Sequence, residues 1–157
     1  MTGPAPAPPP PTPADPATTD AVQTALGTEH AAVWCYALIA AFLTADLDRT
    51  AQQDLVAHRA RRDATIRLLS DAGVTPEAAE PAYRTPAAVT DQNSAVRLAI
   101  AAESDSAAAW HSVLERCDDP GLRHTALDAL VDAAVRQARW SSRLGVSPVA
   151  PPFPGQP

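Results

Sequence analysis

Two stretches of the chain, 74 residues apart, carry the same spacing of expected core positions. In both stretches the positions advance by alternating steps of four and three, as they do in helices that pack into bundles. They are Val22, Leu26, Glu29, Val33, Tyr36, Ala40 and Leu43, then Val96, Ile100, Glu103, Ala107, Trp110, Leu114 and Cys117. The same offset relates polar residues of the segments that follow. The pairs are Asp54 with Asp128, His58 with Asp132, and Arg62 with Arg136. We therefore interpret the chain as two related helical hairpins.

The apolar periodicity predicts four helices and no strands. Asp119 followed by Pro120 is a typical helix start, and Gly73 and Gly145 are typical helix ends. We expect the first helix to begin near Thr19. The predicted helices cover about residues 19–45, 48–72, 90–117 and 119–145.

The joint between the second and third helices is much longer than the other two. About 15 extended residues can span up to roughly 50 Å, whereas a helix of this size is about 37 Å long. The joint can therefore run the length of a bundle. Two antiparallel hairpins joined by one long crossover loop have the connectivity of a ferritin-like bundle, and we predict this all-α fold. A flexible loop in a simple up-and-down bundle is the alternative.

Proline-rich segments flank the helices. We predict a disordered Pro-rich N-terminal arm at 1–18, the bundle at 19–145 and a Pro-rich C-terminal tail at 146–157. The arm could also be recognised by a proline-binding module. Because no charged leader or long apolar run is evident, we expect a cytoplasmic protein with no membrane partner. The net charge of −6 argues against a nucleic-acid partner.

Two carboxylates stand in the middle of the apolar stripes, at Glu29 and Glu103. A buried carboxylate needs a partner or a metal ion. The repeat brings His58 and Asp132 to the matching level of the other two helices. These four residues are the first candidates for a metal site. Asp54 and Asp128, one turn away, are the second choice.

Arginine offers another way to neutralise the two glutamates. All twelve basic residues are arginine, and Arg59, Arg62 and Arg136 lie beside or one turn from the expected layer. Guanidinium groups pair well with buried carboxylates. Two pairs related by the repeat would satisfy Glu29 and Glu103 without a metal ion, and we favour this ion network. In a third arrangement both glutamates simply face water.

Several longer motifs resemble an actinobacterial ferritin-like domain family of unknown function. They are EHAAVWCYALIAAF (29–42), AHRARRD (57–63), AAESDSAAAW (101–110) and FPG (153–155). The resemblance implies a four-helix bundle but supplies no substrate.

The chain departs from the metal-ligand pattern of di-iron ferritin-like proteins. Such a site takes one Glu from each of two helices and a Glu-x-x-His pair from each of the others. Leu55 and Ala129 stand three residues before His58 and Asp132, so both Glu-x-x-His pairs are missing. We therefore expect no cofactor, and a single Fe, Mn or Zn ion is the alternative.

Two hypotheses for function follow. The first is a non-enzymatic binding or structural module, compatible with a homodimer and with an unknown protein or small ligand as partner. The second is a metal-binding protein or weak metallo-oxidoreductase that uses the central layer. Cys35 and Cys117 are too far apart in either bundle topology to form a disulfide, so we expect two free thiols.

Overall fold

The computed structural model describes residues 15–156 and contains four α-helices. Helix α1 spans Pro16–Ile39 and continues into a 3₁₀ turn at Ala40–Phe42. The other helices are α2 at Ala45–Asp71, α3 at Gln92–Arg116 and α4 at Pro120–Arg143. The described part of the chain holds no strand, which confirms the all-α prediction.

Capping side chains are present at the starts of α1, α3 and α4. The Asp119 carboxylate accepts the backbone N–H of Leu122, and Pro120 opens α4 as predicted. Helix α1 begins three residues earlier than expected, because Asp15 caps it and Pro16 fills its first position. Of the predicted disordered arm, residues 1–14 lie outside the described residues. The expected boundary at residue 18 is wrong, since Pro16–Thr18 is helical.

The two hairpins pack through α1 and α3, which run antiparallel. The Thr18 hydroxyl donates to the carbonyl of Arg116 at one end, and the Thr44 N–H donates to the Gln92 side chain at the other. In an up-and-down bundle these two helices would be parallel. The long joint is therefore a crossover between two antiparallel hairpins, as predicted.

The four helices are not equally close. The backbones of α1 and α2, α1 and α3, and α3 and α4 approach closely, whereas α2 and α4 do not. Side chains bridge the wider gap instead, with Arg61 reaching Asp132 and Arg139 reaching Asp54. Long arginine side chains therefore close the fourth side of the bundle.

The predicted core stripe drifts by one residue along α1 and α3. Glu29 and Tyr36 are buried as expected, but Val33 and Ile100 are only partly buried, and Ile39 takes a core place. Straight helices have 3.6 residues per turn, so a strict 3.5-residue spacing slips sideways along them.

One described helical stretch, Pro16–Phe42, is long and apolar enough to cross a membrane by length and composition alone. The sequence analysis looked for a long apolar run, and that criterion was too strict to detect this stretch. The core helix of a bundle passes the same test, and here 44% of the apolar window is buried inside the protein. The apolar face of this helix packs on α2 and α3.

The Pro-rich C-terminal tail folds back onto the bundle. Gly155 has a φ of 80°, and a Cβ at this position would lie 2.7 Å from the carbonyl oxygen of Ala107. Only glycine allows this approach of the tail to α3. The FPG motif is therefore a packing motif.

A buried ion network as the candidate functional site

The middle turns of α1, α2 and α3 bring Glu29, His58 and Glu103 together. All three side chains are fully buried. Apolar clusters flank them on both sides, one around Ile39 and one around Leu26. The polar layer is thus sealed inside the bundle.

His58 bridges the two glutamates. Its Nδ1 lies 2.7 Å from Oε2 of Glu29, and its Nε2 lies 3.0 Å from Oε1 of Glu103. A neutral imidazole carries one N–H, so it can donate to only one carboxylate, whereas the imidazolium donates to both. The geometry therefore fits a positively charged His58 between two carboxylates.

The electrostatics of the layer agree with this protonation state. Burial by itself lowers the pKa of His58, but the hydrogen bonds to Glu103 and Glu29 outweigh it and raise that pKa to about 9. Burial acts to raise the pKa of Glu29, yet the His58 contact and the Trp110 hydrogen bond lower it below its ordinary value. Near neutral pH we therefore assign a charged histidine and a charged Glu29.

Both glutamates have further donors. Oε1 of Glu29 accepts from Trp110 Nε1 at 2.8 Å and from the Ser106 hydroxyl at 3.2 Å. Glu103 accepts the Tyr36 hydroxyl at 2.6 Å, and the Nε of Arg136 lies 3.1 Å from both of its oxygens. Every carboxylate oxygen of the pair is satisfied.

Asp54 extends the network toward α4. Arg139 Nη2 donates to its Oδ2 at 2.6 Å, and Trp140 Nε1 donates to the same oxygen at 2.9 Å. The Tyr36 hydroxyl is 3.4 Å from this oxygen as well. Burial and the nearby Glu103 raise the pKa of Tyr36 well above its ordinary value, so it remains a donor.

The charges of the layer balance. Glu29, Glu103 and Asp54 face three cations. Those cations are His58, Arg136 and Arg139. Burial lowers the pKa of Arg136, but the adjacent Glu103 outweighs it and raises that pKa above its ordinary value. Buried charges that are fully paired in this way avoid most of the penalty of burial.

The internal repeat is visible in the hydrogen bonds. Tyr36 donates to Glu103, and Trp110 donates to Glu29. An offset of 74 residues converts each bond into the other. The two halves of the layer are therefore related, although His58 occupies the space between them alone.

Four of the predicted site residues lie outside this layer. Asp132 is 54% exposed and pairs with Arg61, while Asp128 is 62% exposed beside His124. Arg59 is exposed, and Arg62 pairs with its neighbour Asp63 rather than with Glu29. The reason is the rotation of each helix, which points these positions away from the buried centre.

Other members of the network were not among the predicted site residues. The donors Tyr36, Trp110 and Trp140 and the cation Arg139 all contact a buried carboxylate. The spacing did contain a signal, because the repeat offset maps Tyr36 onto Trp110, and both side chains end in a hydrogen-bond donor.

The arrangement does not fit a di-iron group. In residues 15–156 no set of three or more His, Cys, Asp or Glu side chains is arranged to hold a metal ion. Both ring nitrogens of His58 face carboxylates rather than a common point. Nη1 of Arg61 and Nε of Arg139 are buried without a hydrogen-bond partner in this part of the chain, and their positive charge opposes a nearby cation.

Comparisons with known proteins give a family and a fold. Residues 21–157 match the profile of the family described as "Domain of unknown function (DUF4439)". A crystal structure of a conserved hypothetical protein, rv2844, from Mycobacterium tuberculosis is similar, with 35% identity and a TM-score of 0.78. That match covers 82% of this chain and 96% of the other. No curated protein matches the chain.

Proposed function

We propose a structural role for the buried layer, from the premise that the chain belongs to the DUF4439 family, whose function is unknown. In this proposal the protein is a non-enzymatic binding or structural module. Glu29, His58 and Glu103 hold the hairpins together as an ion network and need no metal ion. The observation that carries the proposal is the bridging position of His58, whose two ring nitrogens each face a carboxylate.

Three features support a network over a metal centre. Each oxygen of Glu29 and Glu103 already accepts a hydrogen bond. A protonated imidazole has no lone pair for a metal ion. Arg136 also lies against Glu103, and its charge would repel a divalent cation.

We further propose that the bundle is a ferritin-like fold that has lost its metal ligands. The two antiparallel hairpins and their crossover match that connectivity. In this proposal Glu29 and Glu103 correspond to the single glutamates of a di-iron bundle. The Glu-x-x-His pairs are replaced by Leu55 before His58 and by Ala129 before Asp132.

Metal binding by the same layer is the competing function. One observation favours it, namely that two glutamates and a histidine meet in a single buried layer. A metal ion would have to displace the proton of His58 and turn both carboxylates toward a shared point. The two functions therefore predict different effects of a chelator on stability, namely no effect for the ion network and a loss of stability for a metal site.

The test is metal analysis combined with unfolding. Untagged protein from cells grown with added Fe, Mn and Zn should contain far less than one equivalent of any of them. A chelator should leave the urea midpoint unchanged. A stoichiometric metal that survives gel filtration, or a chelator-induced loss of stability, would overturn the proposal.

The Glu29→Gln/Glu103→Gln double variant gives the second arm. Removing the charge from one partner of a buried ion pair costs about 3–5 kcal/mol, so we expect a large drop in unfolding free energy with or without metal. Glu115→Gln is the matched control, since Glu115 is 59% exposed and surface changes cost within about 0.5 kcal/mol. Equal stability of the double variant and the control would contradict the network.

A further inference from the structure

The outward face of α4 is apolar along its middle turns. Leu127, Val131 and Val135 are spaced by four residues and are 48%, 50% and 61% exposed. Ala134 and Ala138 are partly buried beside them. The outward face of a bundle helix is normally polar, so this stripe calls for an explanation.

The C-terminal tail turns the stripe into a groove. Ala150 and Pro154 of the tail line one side of a groove of 410 Å³, and the floor consists of α4 side chains. Phe153 beside this wall is 69% exposed. The floor residues are Leu130, Val131, Ala134, Val135 and Ala138. The groove is therefore apolar on its floor and on the wall that the tail supplies.

Charged residues follow the other edge of the stripe. Positions 128, 132, 139 and 143 lie on this edge, because steps of four and seven return to the same side of a helix. The first two are aspartates and the last two are arginines. Asp132 and Arg139 are already paired with α2. Asp128, which lies beside His124, and Arg143 are exposed to solvent.

We propose that this face of α4 is the interface of an antiparallel homodimer. A two-fold axis across the stripe places α4 of one copy against α4 of the other, running in opposite directions. The charged edge of one α4 then lies beside the same edge of the other α4, running in the opposite direction. The acidic half of each helix therefore meets the basic half of its partner. Ala134 and Ala138 allow the two helices to approach closely.

A second copy fits the face better than an unrelated partner because the face is complementary to itself. The apolar stripe matches its own two-fold image, and the charge pattern becomes attractive only when the helices are antiparallel. From Leu127 to Ala138 the stripe is about 17 Å long at 1.5 Å per residue. Such a contact lies at the small end of specific interfaces, so we expect a weak dimer with a micromolar dissociation constant.

This interface does not depend on the state of the buried layer. The stripe is on the outside of α4, and none of its residues contacts Glu29 or His58. Evidence against the dimer would therefore leave the proposed metal-free network intact, and evidence against the network would leave the proposed dimer intact.

Sedimentation velocity over a concentration series tests the proposal. The wild-type chain should change from monomer to dimer as its concentration rises through the micromolar range. Val131→Arg and Val135→Arg should each raise the dissociation constant at least tenfold, because each puts an unpaired charge in the interface. Val56→Arg is the matched control, since Val56 is 63% exposed on the outward side of α2.

A charge exchange tests the orientation. Asp128→Arg and Arg143→Asp should each weaken the dimer, and the double exchange should restore it, because the attraction is then reversed at both ends. At concentrations well below the dissociation constant, circular dichroism should give the same melting temperature for all variants. A wild type that stays monomeric into the millimolar range, a dimer that ignores Val131→Arg, or a double exchange without rescue would each overturn the proposal.

Discussion

Raising the pH should selectively weaken the folded state through His58. In the unfolded chain this histidine titrates near its ordinary pKa of 6.5, whereas in the folded protein the two glutamates raise its pKa to about 9. A raised folded pKa means that the folded state holds the proton more tightly. The stability that His58 contributes is therefore complete below pH 6.5 and is lost as the pH rises through 9.

The size of this contribution follows from the two pKa values. One pKa unit corresponds to about 1.4 kcal/mol, so the difference between 6.5 and about 9 is worth about 3 kcal/mol. The side chain is fully buried, so solvent does not screen the interaction. Domains of this kind are stable by about 5–15 kcal/mol, and the loss should be easy to measure.

Urea unfolding between pH 6 and pH 9.5 is the assay. The wild type should lose about 3 kcal/mol across this interval. His58→Gln should start lower and vary less with pH, because the amide cannot titrate. Subtracting the unfolding free energy of His58→Gln from that of the wild type at each pH cancels the contributions of the other groups that titrate in this range. His124→Gln, at an exposed site, should retain the wild-type pH dependence.

A direct measurement covers the case in which His58→Gln does not fold. Imidazole chemical shifts of labelled wild-type protein report the pKa of each histidine. We expect one histidine that stays protonated above pH 8. If His58 titrates below pH 7, or if the unfolding free energy is constant from pH 6 to 9.5, the charged bridge between the glutamates is wrong.

Two further predictions concern the tail and the thiols. Gly155→Ala should release the tail from α3, because the added Cβ would meet backbone atoms, and limited proteolysis should then cut within residues 146–156. Gly27→Ala is the control: nothing lies within 4 Å of the added Cβ, so this change should raise the unfolding free energy by about 0.5–1 kcal/mol. Thiol titration should find two free cysteines in the unfolded chain. In the folded protein Cys35 should react slowly at pH 8, because burial and then Asp105 raise its pKa to about 11; a fast thiol there or an intrachain disulfide would contradict the packing.

The fold could be predicted from the sequence because its determinants are local. Asp119 and Pro120 start α4 by capping, and the four- and three-residue steps identify the buried faces. The length of the second joint indicates the crossover. The start of α1 was expected near Thr19, although Asp15 and Pro16 repeat the Asp-Pro pair that starts α4; they were assigned to the Pro-rich arm because they lie at its end.

The members of the layer were only partly predictable, because rotation about a helix axis depends on the whole helix. The repeat equates Asp132 with His58, yet Asp132 faces solvent. In α4 the alanines and Trp140 determine which side is buried. Burying that apolar surface outweighs any benefit of placing one carboxylate inside, since an isolated buried charge is costly. Arg136 lies on the buried side and reaches Glu103.

Charge balance explains why the two halves of the layer differ. Glu29 and Glu103 bring two negative charges, and His58 together with Arg136 supplies two positive ones. If Arg62 also turned inward, as the repeat suggests, the layer would hold an unpaired buried cation at a cost of several kcal/mol. Arg62 pairs with Asp63 near the surface instead. A single charged histidine that serves both glutamates thus makes the second arginine unnecessary, and it breaks the symmetry that the sequence repeat implies.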